Sequence, residues 1–286
     1  MLIQQTRRQH HIVGGGLPAT TFVSTWNTAA TSSGSSSSTQ VQLPTIVSGT
    51  YNYHVDWGDA SSDDITVWND AARLHTYSGS GTYEIQISGQ FDGFTFEQWY
   101  DRLKLVGISQ WGTDVKFKNH INALSQTANF VVTATDKMIL NTATSNYFGA
   151  SAFAGTGFLL NMSACTNADR MFAGCTAFNA ADAPNWQTGS CTNMYRMFYG
   201  ATSFDRDISA WDVTAITTAE EMFSGGAGLS TANYDALLIG WEGQAVKNNV
   251  LFHAGTSKYT GGGAAATARA ALIADHTWTI TDGGIA

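Results

Sequence analysis

Four carboxylates fall within nine positions of this chain: Asp56, Asp59, Asp63 and Asp64. Oxygen clusters of that density suit a hard cation such as Ca²⁺, which takes about six to eight oxygen ligands. The plainer reading is that these aspartates cap turns and line a solvated strand edge. Seven histidines (10, 11, 54, 75, 120, 253 and 276) show no HExxH or HxH spacing, so no zinc pattern is present. His75, two places before Tyr77, is expected to hydrogen-bond inside a packed module. Cys165, Cys175 and Cys191 are odd in number and lack CxxC spacing, which argues against a disulfide framework. A glycan hydrolase would depend on a specific carboxylate, such as Asp207 or Asp212. No GxSxG or P-loop occurs, and Gly261-Gly262-Gly263 lacks the lysine of a phosphate cradle. The expectation is a non-enzymatic chain with no catalytic residue and no cofactor; Ca²⁺ at the four aspartates is the one weak exception.

The elements around those aspartates read as β-structure. Tyr51, Tyr53, Val55 and Trp57 alternate with Asn52, His54 and Asp56, the period of a half-buried strand. Trp57-Gly58-Asp59-Ala60 supplies a turn, "DITVW" a second strand, and "TYEIQISG" a third with Tyr83, Ile85 and Ile87 on one face. "TFVSTWNT" is an earlier strand, and the low-complexity "TSSGSSSST" between Thr31 and Thr39 is a loop and nothing more.

A longer rhythm governs the second half. Met171-Phe172, Met197-Phe198 and Met222-Phe223 are separated by 26 and 25 residues. Cys165, Cys191 and Ile216 keep step, as do Phe178, Phe204 and Leu229, and Trp186 and Trp211. "NYFGASAF" is a degenerate earlier copy, with Phe148 and Phe153. A period of roughly 20–29 residues marks a leucine-rich-repeat type of solenoid, in which one turn of chain cannot bury its anchors and stacked turns line them into columns. Gly174, Gly200 and Gly225 let neighbouring turns approach. "STANYDALLIGWEGQ" places Tyr234, Leu237, Leu238 and Trp241 on one helical stripe, with Ser230 or Thr231 to cap its start; "AAATARAALIAD" is a second helix and "TWTITDGG" a last strand.

Two resemblances sharpen this reading. "VDWGDA…HTYSGSGTYEIQISG" resembles the polycystic-kidney-disease (PKD) domain, an immunoglobulin-like module marked by WGDG and H-x-Y-x-x-x-G-x-Y, with Ala60 in place of the last glycine of WGDG. It implies a β-sandwich used for spacing or binding. "MFYGATSFDRDISAWDVTAITTAEEMF" resembles the BspA-like surface proteins with 26-residue repeats. The chain departs from them at Ala219-Glu220-Glu221, where methionine usually precedes Met-Phe, and at 180–185 before Trp186. That resemblance implies cell-surface attachment with protein or glycan contact, and such chains also occur in phage genomes. The expected fold is mainly β: an arm at 1–19, a PKD-like β-sandwich at 20–97, a leucine-rich-repeat-like solenoid at 98–229, and an α-helical C-terminal cap at 230–286.

Composition narrows the function. The chain has 286 residues, is 13% charged and carries a formal net charge of −8, which disfavours a nucleic-acid partner. No apolar run of spanning length occurs, and no apolar secretory core follows Met1. The arm alone is locally basic, through Arg7, Arg8, His10 and His11, and is a candidate partner-binding segment; the sandwich loops and the solenoid flank are the other expected binding surfaces. The expected role is a phage virion component (capsid decoration, fibre or tail-associated) within a homo-oligomer or larger assembly, binding other virion proteins. The alternative is a bacterial cell-surface adhesin for a host protein or glycan.

Overall fold

The computed structural model describes residues 17–96, 101–116, 124, 127, 130–140, 144, 145, 148 and 153–286. Arg7, Arg8, His10 and His11 lie outside these residues. The fold is mainly β, with two α-helices.

The first half is built on β1 (Phe22–Asn27), β2 (Gln40–Gln42), β3 (Thr50–Asp56), β4 (Ser62–Ile65), β5 (Leu74–Thr76), β6 (Thr82–Asp92), β7 (Leu105–Gln110), β8 (Val115–Lys116) and β9 (Val131–Val132). Along β3 every second residue is buried, Tyr51, Tyr53 and Val55 pointing inward as their spacing predicts. The seven-stranded sheet runs β4-β3-β6-β1-β7-β9, with β8 beside β6, and β2 pairs separately with β5. β7 and β9 lie beyond residue 97, so this sheet runs past the expected sandwich boundary into the repeat half. At the turn after β3, Gly58 takes φ 78°, and a Cβ there would stand 2.3 Å from the Glu84 carbonyl oxygen. Ala60 takes φ 67°, the left-handed conformation that glycine adopts without strain.

The serine-rich stretch is a loop, but a fastened one. Lys104 and Asp101 form an ion pair at 3.2 Å with both side chains fully buried. The Lys104 ammonium also donates to the carbonyls of Ser36, Ser37 and Gln40 and to the Ser36 hydroxyl, at 2.7–3.0 Å. Asp101 accepts from the Ser36 N–H and hydroxyl and from the Gln42 N–H. Burial pulls the Lys104 pKa down, and Asp101 opposes that shift. Composition hid this anchor because the two charged residues lie about 65 positions downstream of the serines they hold.

The second half is a ladder of turns. Its strands are short: β10 (Met138–Ile139), β11 (Thr144–Ser145), β12 (Leu160–Asn161), β13 (Ala168–Asp169), β14 (Thr218–Ala219), β15 (Leu251–His253) and β16 (Thr279–Thr281). All the pairings among them are parallel. Bridges Asn167↔Asn193 and Asn193↔Thr218 carry the ladder between β13 and β14. One period apart, amides meet carbonyls in strict step: Arg170 to Tyr195, Phe172 to Met197, Gly174 to Tyr199, then Arg196 to Glu220, Phe198 to Met222 and Gly200 to Ser224, at 2.7–3.1 Å. The Thr192 amide and hydroxyl both donate to Thr166 O, and Thr217 does the same to Thr192 O.

Locked at this spacing, equivalent rings stack. Phe148, Phe172, Phe198 and Phe223 form one row with centroids 5.1, 5.7 and 5.4 Å apart. Phe153, Phe178 and Phe204 form a second row at 5.6 and 6.0 Å. Trp186 stacks on Trp211 at 5.8 Å; the extra residues before Trp186 fold into a 3₁₀ turn, Ala183–Asn185, and leave the stack intact. Ring contact between Trp111 and Phe158 at 6.0 Å joins the rows to the sheet, in one continuous apolar core. Helices α1 (Thr231–Glu242) and α2 (Ala264–His276) pack together at the far end.

The start of α1 corrects the capping expectation. Ser230 occupies the cap position but makes no side-chain bond to the helix. Asp205, one turn earlier, accepts from the Ser230 backbone amide and hydroxyl and from the Asn233 side-chain amide at 2.7–2.9 Å. A carboxylate there satisfies the Ser230 N–H and complements the helix dipole. Burial opposes its ionisation, yet these donors hold Asp205 below the usual carboxylate range.

Lys104→Met strips the buried Asp101 of its counter-charge and is expected to destabilise the protein by about 3–5 kcal/mol in urea unfolding. The double change Lys104→Met with Asp101→Leu is expected to recover most of that loss.

Candidate functional site

The four aspartates of the first half do not converge. Neighbours on a strand point to opposite faces, so Asp63 and Asp64 part company: Asp63 accepts from the Trp57 indole at 2.8 Å, and Asp64 pairs with His54 at 2.8 Å. Asp56 accepts from the Gly58 amide. Asp59 accepts from the Ser61 amide and hydroxyl and pairs with His75 at 2.9 Å. His75 in turn stacks on Trp57, centroids 4.6 Å apart and 10° from parallel, and meets Tyr77 edge-on. Among the described residues no group of three or more His, Cys, Asp or Glu side chains is placed to hold a metal ion. Asp207 and Asp212 are likewise turn residues, accepting from the Ser209 and Thr214 amides. The Thr214 hydroxyl and amide hold Asp212 below the usual carboxylate range, the opposite of what a general acid needs.

The polar chemistry of the repeat half gathers on the outward side of the ladder, and each turn builds it the same way. Asn167, Asn193 and Thr218 accept, through their side chains, the amide two residues on. The chain then bends through Arg170, Arg196 and Glu221, at φ 54°, 53° and 52°, and drives the following Met-Phe inward. Gly174, Gly200 and Gly225 supply a second left-handed bend at φ 76°, 69° and 74°. A non-glycine residue in that region costs roughly 1–2 kcal/mol, and three occupy one column. Backbone strain kept in register at half-buried charged residues is a feature from which function can be argued.

Arg196 is the hub. Its Nε donates to Glu221, and its guanidinium lies 5.0 Å from the Tyr195 ring centroid and 5.2 Å from that of Tyr199. Arg170 covers Tyr195 as well, at 5.1 Å, and pairs with Asp169 at 3.1 Å. Tyr195 is thereby held between two cations. Tyr199 leans over Gly225, where a Cβ would meet its ring at 3.1 Å. The hydrogen bond from Arg196 holds Glu221 below the usual carboxylate range, and Glu221 raises Arg196 in return. Beside this network opens a groove of about 570 Å³ lined by Arg196, Tyr199, Glu220, Glu221, Leu251 and His253. Tyr199 and Leu251 are 39% and 42% exposed. His253 Nδ1 accepts from the Gly255 amide, which leaves Nε2 as the donor. The groove offers donors, acceptors and ring surface together, and Glu221, held ionised, accepts hydrogen bonds rather than delivering a proton.

None of Asp56, Asp59, Asp63, Asp64, Asp207 and Asp212 lines this groove. Its signal was present: the residue just before each Met-Phe is charged, as Arg170, Arg196 and Glu221.

Two outcomes test these assignments. Because its donors depress the Asp59 pKa, the stability Asp59 contributes is full above the unfolded carboxylate value of about 4 and is lost as pH falls through the folded value. Asp59→Asn is therefore expected to flatten the acid limb of a stability–pH profile; an unchanged limb would refute the pairing. Arg196→Gly relieves the left-handed strain while losing the ion pair, so its unfolding free energy is expected to stay within about 1 kcal/mol of the parent. Arg196→Val, branched at Cβ, is expected to unfold more easily than Arg196→Gly.

Residues 114–241, less than half of the chain, match a family model described as "Mycoplasma protein of unknown function, DUF285". No curated protein and no solved structure matches the chain.

Proposed function

We propose that this chain is a non-enzymatic structural and binding protein: a PKD-like β-sandwich running into a short leucine-rich-repeat-like solenoid with a helical C-terminal cap. It is displayed on the outside of a virion, as a decoration, fibre or tail-associated subunit, and uses the ladder face to hold a partner. The observation that carries this reading is the division of labour in each repeat. Every Met-Phe pair goes to the core at zero exposure, while the charged residue before it is strained outward into a connected polar network. Such a face suits recognition, because rigid rings and fixed charges bind with little loss of side-chain freedom.

A second reading, a bacterial cell-surface adhesin, draws support from the bacterial description of the family matched at residues 114–241. In both cases the chain grips rather than reacts.

The test has two arms. Fluorescently labelled protein is incubated with intact bacterial cells and with purified virions lacking the chain, alongside a variant combining Tyr199→Ala, Glu220→Gln and His253→Ala. Retention on one of these surfaces, falling at least tenfold in the variant at unchanged thermal midpoint, is the expected result, and the surface that retains it separates virion from adhesin. Equal retention of parent and variant would remove the ladder face from the account. Glycan hydrolysis lost on Asp207→Asn or Asp212→Asn would remove the non-enzymatic reading altogether.

A further inference from the structure

The three cysteines are reduced and buried, and nothing in the proposed binding role uses them. They are not equivalent. Cys175 donates to the Phe148 carbonyl at 2.7 Å. Cys165 and Cys191 instead occupy the same position of successive turns, 26 residues apart. Their settings repeat: Cys165 Sγ lies 3.5 Å from Asn167 O, and Cys191 Sγ lies 3.3 Å from Asn193 O. The backbone next to them is pinned in parallel register, by the Thr192 amide on Thr166 O at 2.8 Å and by the Asn167↔Asn193 bridge. Adjacent strands in such a ladder stand about 4.8 Å apart. That lies within the Cα separation of about 4.4–6.8 Å that a disulfide spans.

We propose that Cys165 and Cys191 are an oxidation site, joining as an inter-turn disulfide when the chain folds in the presence of a small-molecule disulfide oxidant. The thiolate of one cysteine attacks the oxidant, whose S–S bond breaks and releases one reduced thiol. The second cysteine's thiolate then attacks the protein sulfur of that mixed disulfide and displaces the other thiol. Two protons leave the protein, two electrons pass to the oxidant, and one S–S bond replaces another. The neighbouring Cys165 thiol, together with burial, pushes the Cys191 thiol well up in the finished fold. The exchange therefore belongs to the folding stage, while the turns are still open and thiolate can form.

The bond closes the loop from Cys165 to Cys191, which carries Arg170 and Phe172, and ties it to the start of the next turn. In an oxidising compartment the ladder face rides on covalently joined turns; in a reducing one the same column packs as two small apolar side chains.

The test uses the full chain, unfolded in denaturant and refolded either in a mixture of reduced and oxidised glutathione or in dithiothreitol. Free thiols are then trapped by alkylation and mapped by mass spectrometry. The expected result in glutathione is one alkylated cysteine, Cys175, and a linked peptide pair joining Cys165 to Cys191, with a higher denaturation midpoint than the dithiothreitol sample. Cys165→Ser refolded in the same way is expected to give no linked pair. Three alkylated cysteines, a linkage that involves Cys175, a glutathione adduct at Cys165 or Cys191 that does not resolve, or a linked chain less stable than the reduced one would each overturn the proposal.

Discussion

Parallel hydrogen bonding from each turn to its equivalent one period later is the constraint on which the repeat half rests. The amides of Phe172, Gly174, Phe198 and Gly200 donate one period ahead, so the period has little freedom to drift. Fixed backbone spacing then dictates ring spacing, and the phenylalanine rows fall at 5.1–6.0 Å, close to parallel. Stacked aromatic pairs are each worth about 0.5–1.5 kcal/mol beyond the area they bury. The rows therefore reinforce the register that creates them. A chain so poor in charge has little else to hold such short strands together: the strands here are two or three residues long, well below the length at which an isolated pair is stable.

The same constraint shapes the outward face. To send Met and Phe inward within so few residues, the backbone must bend sharply on either side of them, and both bends are left-handed. Glycine takes the second bend without strain, at Gly174, Gly200 and Gly225. The first is taken by Arg170, Arg196 and Glu221, whose long side chains answer with ion pairs and ring contacts that glycine could not make. The polar network is thus tied to the core by geometry: where Met-Phe points in, the residue before it points out. The groove beside Arg196 inherits that rigidity and presents guanidinium, carboxylate, imidazole and ring surface together.

Much of this was legible in the sequence. The period, the columns of Phe and Trp, the strand alternation at Tyr51, Tyr53 and Val55, and both helices could be read directly, because each repeats a spacing that local physics imposes. Long-range partnerships were not legible. Nothing local connects Asp101 and Lys104 to the serines they anchor, Asp205 to the helix it caps, or β9 to a sheet that starts at Phe22. Ser230 has the right residue type and position for a cap, yet its hydroxyl is claimed by a carboxylate one turn earlier. The four aspartates looked like a cluster because they are close in sequence, while strand pleat and separate partners divide them. The ladder face was legible only as a solenoid flank without named residues, for a related reason: aligning the repeats drew attention to the aromatic anchors, and the charged residue before each one varies in sign.

Continuity between the halves bears on how the whole chain behaves. β1 pairs with both β6 and β7, β7 pairs with β9, and Trp111 meets Phe158, so the ladder grows from the sheet without a gap in the core. Native-state hydrogen exchange resolved to single amides reads the central claim most directly. If the turn-to-turn bonds hold the repeat half, the amides of Phe172, Gly174, Phe198 and Gly200 will exchange slowly and together, with an opening free energy close to that of global unfolding. Exchange of those amides at the rate of exposed loop positions, while β3 and β6 remain protected, would contradict it.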